Sequence, residues 1–181
     1  MTKKTKYIIG YIVGFLIFMI VIPLIVYVIS QIENRFFEIP IIGMDIIRIV
    51  ITILLFVIGM VFTLWSNLDL FRKGKGGPTD VFNVEISPRT KLLVTGGPYR
   101  FTRNPMVFGV NSIYFAIAFF VNSLASLVFC ASFLSIIIVY LKRTEEKRLL
   151  KDFGDAYFDY KKRVPMILPF PKRMVGKKVG S

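Results

Sequence analysis

The strongest constraint on this chain is a set of apolar runs too long for an ordinary soluble core. Residues 7–29, 106–121 and 124–141 carry no charged side chain, and residues 41–65 carry only Asp45 and Arg48. About 20 apolar residues cross roughly 30 Å of hydrocarbon as a helix. Inside a bilayer the backbone must satisfy its own hydrogen bonds, which favours helix. The chain therefore reads as all-α, a polytopic membrane helix bundle of about four transmembrane helices. Lys3, Lys4 and Lys6 precede the first run as they would in a signal peptide. That run is too long for one, and no small-residue cleavage site follows, so it reads as a retained span. Pro23 is expected to kink it, and neighbouring helices can absorb the kink.

The joints between the runs are also legible. Asn122 and Ser123 separate the last two runs, which predicts an antiparallel hairpin with a tight polar turn. Asp45 and Arg48, three residues apart, share a helical face and can pair at the interface or snorkel separately. Trp65 falls where an aromatic belt residue belongs. Residues 66–105 are rich in glycine, proline and charge, which predicts a long loop, and long loops are usually functional or disordered. Interleaved apolar and aromatic residues, among them Val81, Phe82, Leu92, Leu93, Val94, Tyr99 and Phe101, favour an ordered one. The fourth helix is expected to continue past Lys142 to Leu150 and to stop near Phe153-Gly154. Asp155 then caps a short amphipathic helix ending at Arg163, before Pro165. This divides the chain into N-terminal transmembrane helices, residues 1–65, and a functional core, residues 66–181.

Charge separates the membrane reading from a nucleic-acid one. The net charge of +13 would suit a nucleic-acid partner in a soluble protein. With four spans, however, 22 of the 24 Lys and Arg residues fall on one side, together with both termini and the 66–105 loop. By the positive-inside rule that side is cytoplasmic, and the basic excess needs no nucleic acid. Histidine is absent, which removes the commonest general base and metal ligand. Cys130, the single cysteine, lies in an apolar run and reads as a packing residue. Neither a disulfide within the chain nor a thiolate metal cluster is possible, and no metal site is expected.

Two features on the cytoplasmic side carry possible chemistry. Residues 91–106, KLLVTGGPYRFTRNPM, lead directly into the third run. Their glycines permit close backbone approach to a ligand. Pro105 in the first helical turn leaves backbone amides free at a helix N-terminus, a natural anion site. Arg100 and Arg103 add positive charge, and Tyr99 offers a ring face. A basic turn holding lipid phosphates would look the same. The second feature is Glu145-Glu146, just beyond the fourth run. Lys142 with Glu146, and Glu145 with Arg148, have the spacing of a salt-bridged helix surface, so this pair too has an ordinary reading.

Together, GPYRFTRNPM, the acidic pair after the next hairpin, and FGDAYFDYKKRVPMILPF resemble the isoprenylcysteine carboxyl methyltransferase family. That family sits in a wider group of membrane methyltransferases that includes phospholipid N-methyltransferases. The similarity covers residues 88–170, and the upstream GKGGP stretch resembles bacterial and archaeal members. The resemblance implies an S-adenosyl-L-methionine site built from the pre-helix loop, the start of the third helix and the acidic pair. It assigns cofactor contacts to Lys91, Leu92, Leu93, Val94, Tyr99, Asn104, Pro105, Met106, Val107 and Glu145. Residues 104–107 occupy the family's His-Pro-x-Tyr stretch, so Asn104 stands for the histidine and Val107 for the tyrosine. The family's substrate-contacting arginine falls on Leu141, where Lys142 and Arg143 are the nearby alternatives.

These points lead to one expected function, a methyltransferase acting at the cytoplasmic membrane face on a lipophilic acceptor. Methyl transfer from a sulfonium to a carboxylate needs no base, because the nucleophile is already an anion; a protonated amine would need one. Absence of histidine thus favours a carboxylate, as in isoprenylcysteine O-methylation. Arg103 is assigned to orienting the acceptor, and residues 157–163 are expected to cover the pocket with Tyr157 and Tyr160 facing inward. The expected partners are the bilayer and a lipophilic or prenylated substrate. The alternatives are a phospholipid N-methyltransferase, a membrane reductase of the steroid 5α-reductase type using a nicotinamide cofactor, and a non-enzymatic module binding anionic lipid.

Overall fold

The computed structural model describes residues 3–37, 40–74 and 92–169. Lys91 and most of the GKGGP stretch lie outside those ranges. The described residues are helical apart from short connections: α1 Lys3–Leu16, α2 Ile22–Phe36, α3 Asp45–Gly74, α4 Pro105–Phe120, α5 Leu124–Arg143 and α6 Glu145–Arg163. Three helical runs, Ile12–Phe36, Asp45–Gly74 and Leu124–Arg163, are long and apolar enough to cross a membrane, and Pro105–Phe120 is a shorter apolar helix.

α1 and α2 form one helical run joined by a π-helical turn, Ile17–Val21. The cause lies just beyond it. In the π pattern Ile22 N–H reaches back to the Ile17 carbonyl; the next amide would be that of residue 23, and Pro23 has none. The Phe18 carbonyl is taken instead by the Tyr114 hydroxyl at 2.6 Å, from α4. An open backbone acceptor in hydrocarbon would be costly, and a side chain from the neighbouring helix closes it.

α4 lies at the centre, packed most closely on α3. Gly59 and Gly109 make that crossing possible, because a Cβ at Gly59 would lie 2.7 Å from the Gly109 carbonyl and one at Gly109 would lie 2.7 Å from that of Gly59. Small residues at membrane helix crossings let backbones approach in this way. A second core cluster joins Val26 of α2, Val110, Tyr114 and Ala118 of α4, and Cys130 of α5. Cys130 is buried there as a packing residue.

Polar contacts define the two ends of the bundle. At one end Asn122, with φ of 55°, turns the α4–α5 hairpin. Its side chain accepts from the amides of Ile41 and Ile42. Ser123 caps α5 and donates to Glu33 of α2, whose carboxylate also accepts from the Ala125 amide. The opposite end gathers the C-terminal turns of α3, the loop before α4, and α6. α1–α2 runs parallel to α4, while α3 and α5 run antiparallel to it.

One boundary differs from expectation, and one helix carries an unexpected interruption. α3 does not stop at Trp65 but continues unbroken to Gly74. Lys73 pairs with Asp69 one turn earlier at 2.7 Å, and Arg72 and Lys73 suit the helix C-terminus. The fourth apolar helix does continue past Lys142 toward Gly154, but with a one-residue interruption at Thr144 that separates α5 from α6. There the Thr144 hydroxyl bonds back to the Tyr140 carbonyl at 2.6 Å. Gly154 then interrupts α6 at φ 51°, close to the expected stop, and the helix ends at Arg163. The Asp45–Arg48 pair forms at 2.9 Å.

Candidate active site

The loop ahead of α4 and the acidic start of α6 meet. The loop makes a short 3-10 turn, Gly97–Arg100, in which Gly97 adopts φ 57°. A Cβ at Gly97 would strike the Asp69 carboxylate, so the position needs glycine for space as well as conformation. Arg103 follows, with its side chain 8% exposed. Its Nη1 donates to Glu146 Oε1 at 2.5 Å and to the Tyr157 hydroxyl at 3.2 Å, while Nε donates to the Val164 carbonyl. The other Glu146 oxygen takes Lys161 at 2.5 Å. Two cations thus share one buried carboxylate.

The chain after α6 straps this loop down. The Thr102 hydroxyl and the Asn104 side-chain amide both donate to the Met166 carbonyl, and the Arg103 backbone amide donates to that of Pro165. The Tyr160 hydroxyl donates to the Tyr99 carbonyl at 2.6 Å. Tyr157, Tyr160 and Val164 form a small core with Leu93, Leu149 and Phe153. Tyr157 and Tyr160 therefore face inward as expected.

The expected site residues divide as follows. Leu92 is exposed, Leu93 half-buried and Val94 buried, in extended chain running into the glycines. Tyr99 is half-buried. Burial pushes its phenol well above the ordinary range, and the nearby charges of Glu145 and Asp69 push it further. Burial raises Tyr160 as well, and it raises Tyr157 against the opposing charge of Arg103. All three stay neutral near pH 7. Glu145 is the first residue of α6, half-buried and close enough to act on Tyr99.

Pro105 is buried at the start of α4, with Met106 and Val107 half-buried behind it. Asn104 occupies the N-cap but makes no cap bond, since its amide is turned to Met166. The first amides of α4 therefore lack the usual side-chain acceptor, which fits an anionic group of a ligand.

Three contributors went unread in the sequence: Asp69, Glu146 as the partner of Arg103, and Thr102. Asp69 had a signal, an acid near the C-terminus of an apolar helix where the helix dipole disfavours it. The described residues hold no cluster of His, Cys, Asp or Glu suited to a metal ion.

The arrangement suits a zwitterionic cofactor with an apolar ring system. The start of α4 offers helix N-terminal amides, Glu145 a half-buried carboxylate, and Leu93 and Val94 apolar side chains. Comparison with known proteins finds similarity to methyltransferases. The description of the phospholipid methyltransferase family matches residues 47–156. Protein-S-isoprenylcysteine O-methyltransferase of Rattus norvegicus is 40% identical over 96 residues, 50% of this chain and 31% of the relative. Methanethiol S-methyltransferase of Mycobacterium tuberculosis (strain ATCC 25618 / H37Rv) is 36% identical over 115 residues, 62% of this chain and 41% of the relative. The chain thus spans less than half the length of these relatives. No solved structure matches it significantly.

Proposed function

Since the chain belongs to the phospholipid methyltransferase family, we propose that it transfers a methyl group from S-adenosyl-L-methionine to a lipophilic acceptor at one membrane face. The observation that carries this reading is the meeting of the loop before α4 with the acidic start of α6. In this proposal four helices span the bilayer, the site lies on the cytoplasmic side, and both termini share that side.

Each residue then has a task. Glu145 holds the cofactor's ammonium or ribose hydroxyls, and the first amides of α4 hold its carboxylate. Leu92, Leu93, Val94 and Tyr99 pack its rings, with Lys91 at the edge of the same stretch. Met106 and Val107 form the wall beside the reacting centre. When bound, the cofactor supplies a methyl group on a positively charged sulfur, which an anion can attack directly. The protein's work is alignment and exclusion of water.

Arg103 is assigned to orienting the acceptor. Arg103 and Lys161 both pair with Glu146, and the Arg103 guanidinium is the buried cation beside the loop that an anionic acceptor would meet. Tyr99, Tyr157 and Tyr160 are held neutral, and Glu146 is occupied by its two partners. A carboxylate acceptor, as in isoprenylcysteine O-methylation, suits such a site. A thiolate is the second reading, favoured by the methanethiol S-methyltransferase relative. Cofactor titration of the purified protein tests the family chemistry: saturable binding of S-adenosylmethionine and none of NADPH supports it, and the reverse result would favour a reductase.

A further inference from the structure

Asp69 lies on the penultimate turn of α3, outside every segment so far given to the cofactor. Its side chain is only 10% exposed, although acids near a helix C-terminus oppose the helix dipole. The penalty is partly offset by Lys73, whose ammonium sits at 2.7 Å and also lies 4.0 Å from where a Cβ on Gly96 would be. One carboxylate oxygen rests against Gly97, in the space a side chain would fill, with the Trp65 indole nitrogen beside it. Gly97 is the residue that takes the left-handed conformation and starts the turn carrying Tyr99. The ion pair thus lies against both glycines that lead into the turn carrying Tyr99.

We infer that Asp69 is the positioning residue for the cofactor loop, setting the Gly97 turn and through it the place of Tyr99. This rests on the methyltransferase reading. Asp69 does not itself touch the cofactor. Its influence runs through a backbone contact, so it acts on cofactor affinity and leaves acceptor affinity alone.

The test is calorimetric titration of S-adenosylmethionine into the full chain in detergent or nanodiscs, with KM measured for cofactor and acceptor separately. Asp69→Ala should weaken cofactor binding roughly ten-fold, the effect of a small loop displacement, with an unchanged acceptor KM and a near-normal unliganded Tm. Gly97→Ala should show the same split. The double variant should be no worse than the poorer single one, because both changes act on one contact. Should Asp69→Ala fail to fold, the near-isosteric Asp69→Asn carries the same comparison. Unchanged cofactor affinity, equal losses for cofactor and acceptor, or additive effects in the double variant would overturn the inference while leaving the family reading intact. Wild-type protein that binds no S-adenosylmethionine would overturn both.

Discussion

Arg103 and Glu146, 43 residues apart in sequence, meet at 2.5 Å with both side chains 8% exposed. The pair locks the loop ahead of α4 to the first turn of α6. Removing one member of a buried pair leaves an uncompensated charge at a cost of about 3–5 kcal/mol. Lys161, 45% exposed, contributes far less to the balance. Glu146→Gln should therefore lower stability by about 3 kcal/mol, and Lys161→Met by under about 1 kcal/mol, measured as reversible unfolding in mixed micelles. Comparable losses in the two variants would show that Arg103 does not depend on Glu146.

Glu145 is expected to act on the ligand where Glu146 acts on the protein. Replacing the carboxylate removes a hydrogen bond to a charged group, about 1.5–3 kcal/mol, or roughly ten- to hundred-fold in affinity. Glu145→Gln should weaken S-adenosylmethionine binding by that factor and lower Tm by less than Glu146→Gln does, as calorimetry and thermal melts would report. A large fall in Tm with intact affinity would give the two acids opposite roles.

Tyr114 and Pro23 make a prediction at the other side of the core. Tyr114→Phe should cost about 1–2 kcal/mol by leaving the Phe18 carbonyl open in hydrocarbon. In a Pro23→Ala background residue 23 regains an amide able to reach that carbonyl, so the same change should cost much less. Equal costs in the two backgrounds would separate the π-helical turn from the proline.

The pH dependence follows from the tyrosines. Tyr99 is raised in the folded protein above its ordinary value of 10.0 by burial, then by Glu145 and Asp69. The stability this represents is fully present below pH 10.0 and is lost as pH rises through the folded value. Ultraviolet phenolate titration should show a component above the ordinary range that Tyr99→Phe removes. With no histidine in the chain, methyl transfer should show no inflection near about pH 6.5. An inflection there would require a base that the site does not provide.

Much of the architecture could be read from hydropathy because a bilayer demands unbroken apolar helix. The Asn122-Ser123 turn and the Gly154 interruption followed from local chemistry in the same way. The end of α3 did not, since Asp69 and Lys73 are polar residues that a hydropathy pattern assigns to a loop, and the Thr144 interruption rests on a side-chain back-bond that hydropathy does not register. The acidic pair was visible as a pair, but which acid turns to Arg103 depends on the break at Thr144. Asn104 shows a further limit: its bond to the Met166 carbonyl, 62 residues away, leaves no local trace in the sequence.

Transfer of a labelled methyl group from S-adenosylmethionine to a panel of lipophilic carboxylates, thiols and amines tests the central claim most directly. The account predicts label in the carboxylate acceptors and its loss in Glu145→Ala. No label in any acceptor, or equal transfer by wild type and variant, would contradict it.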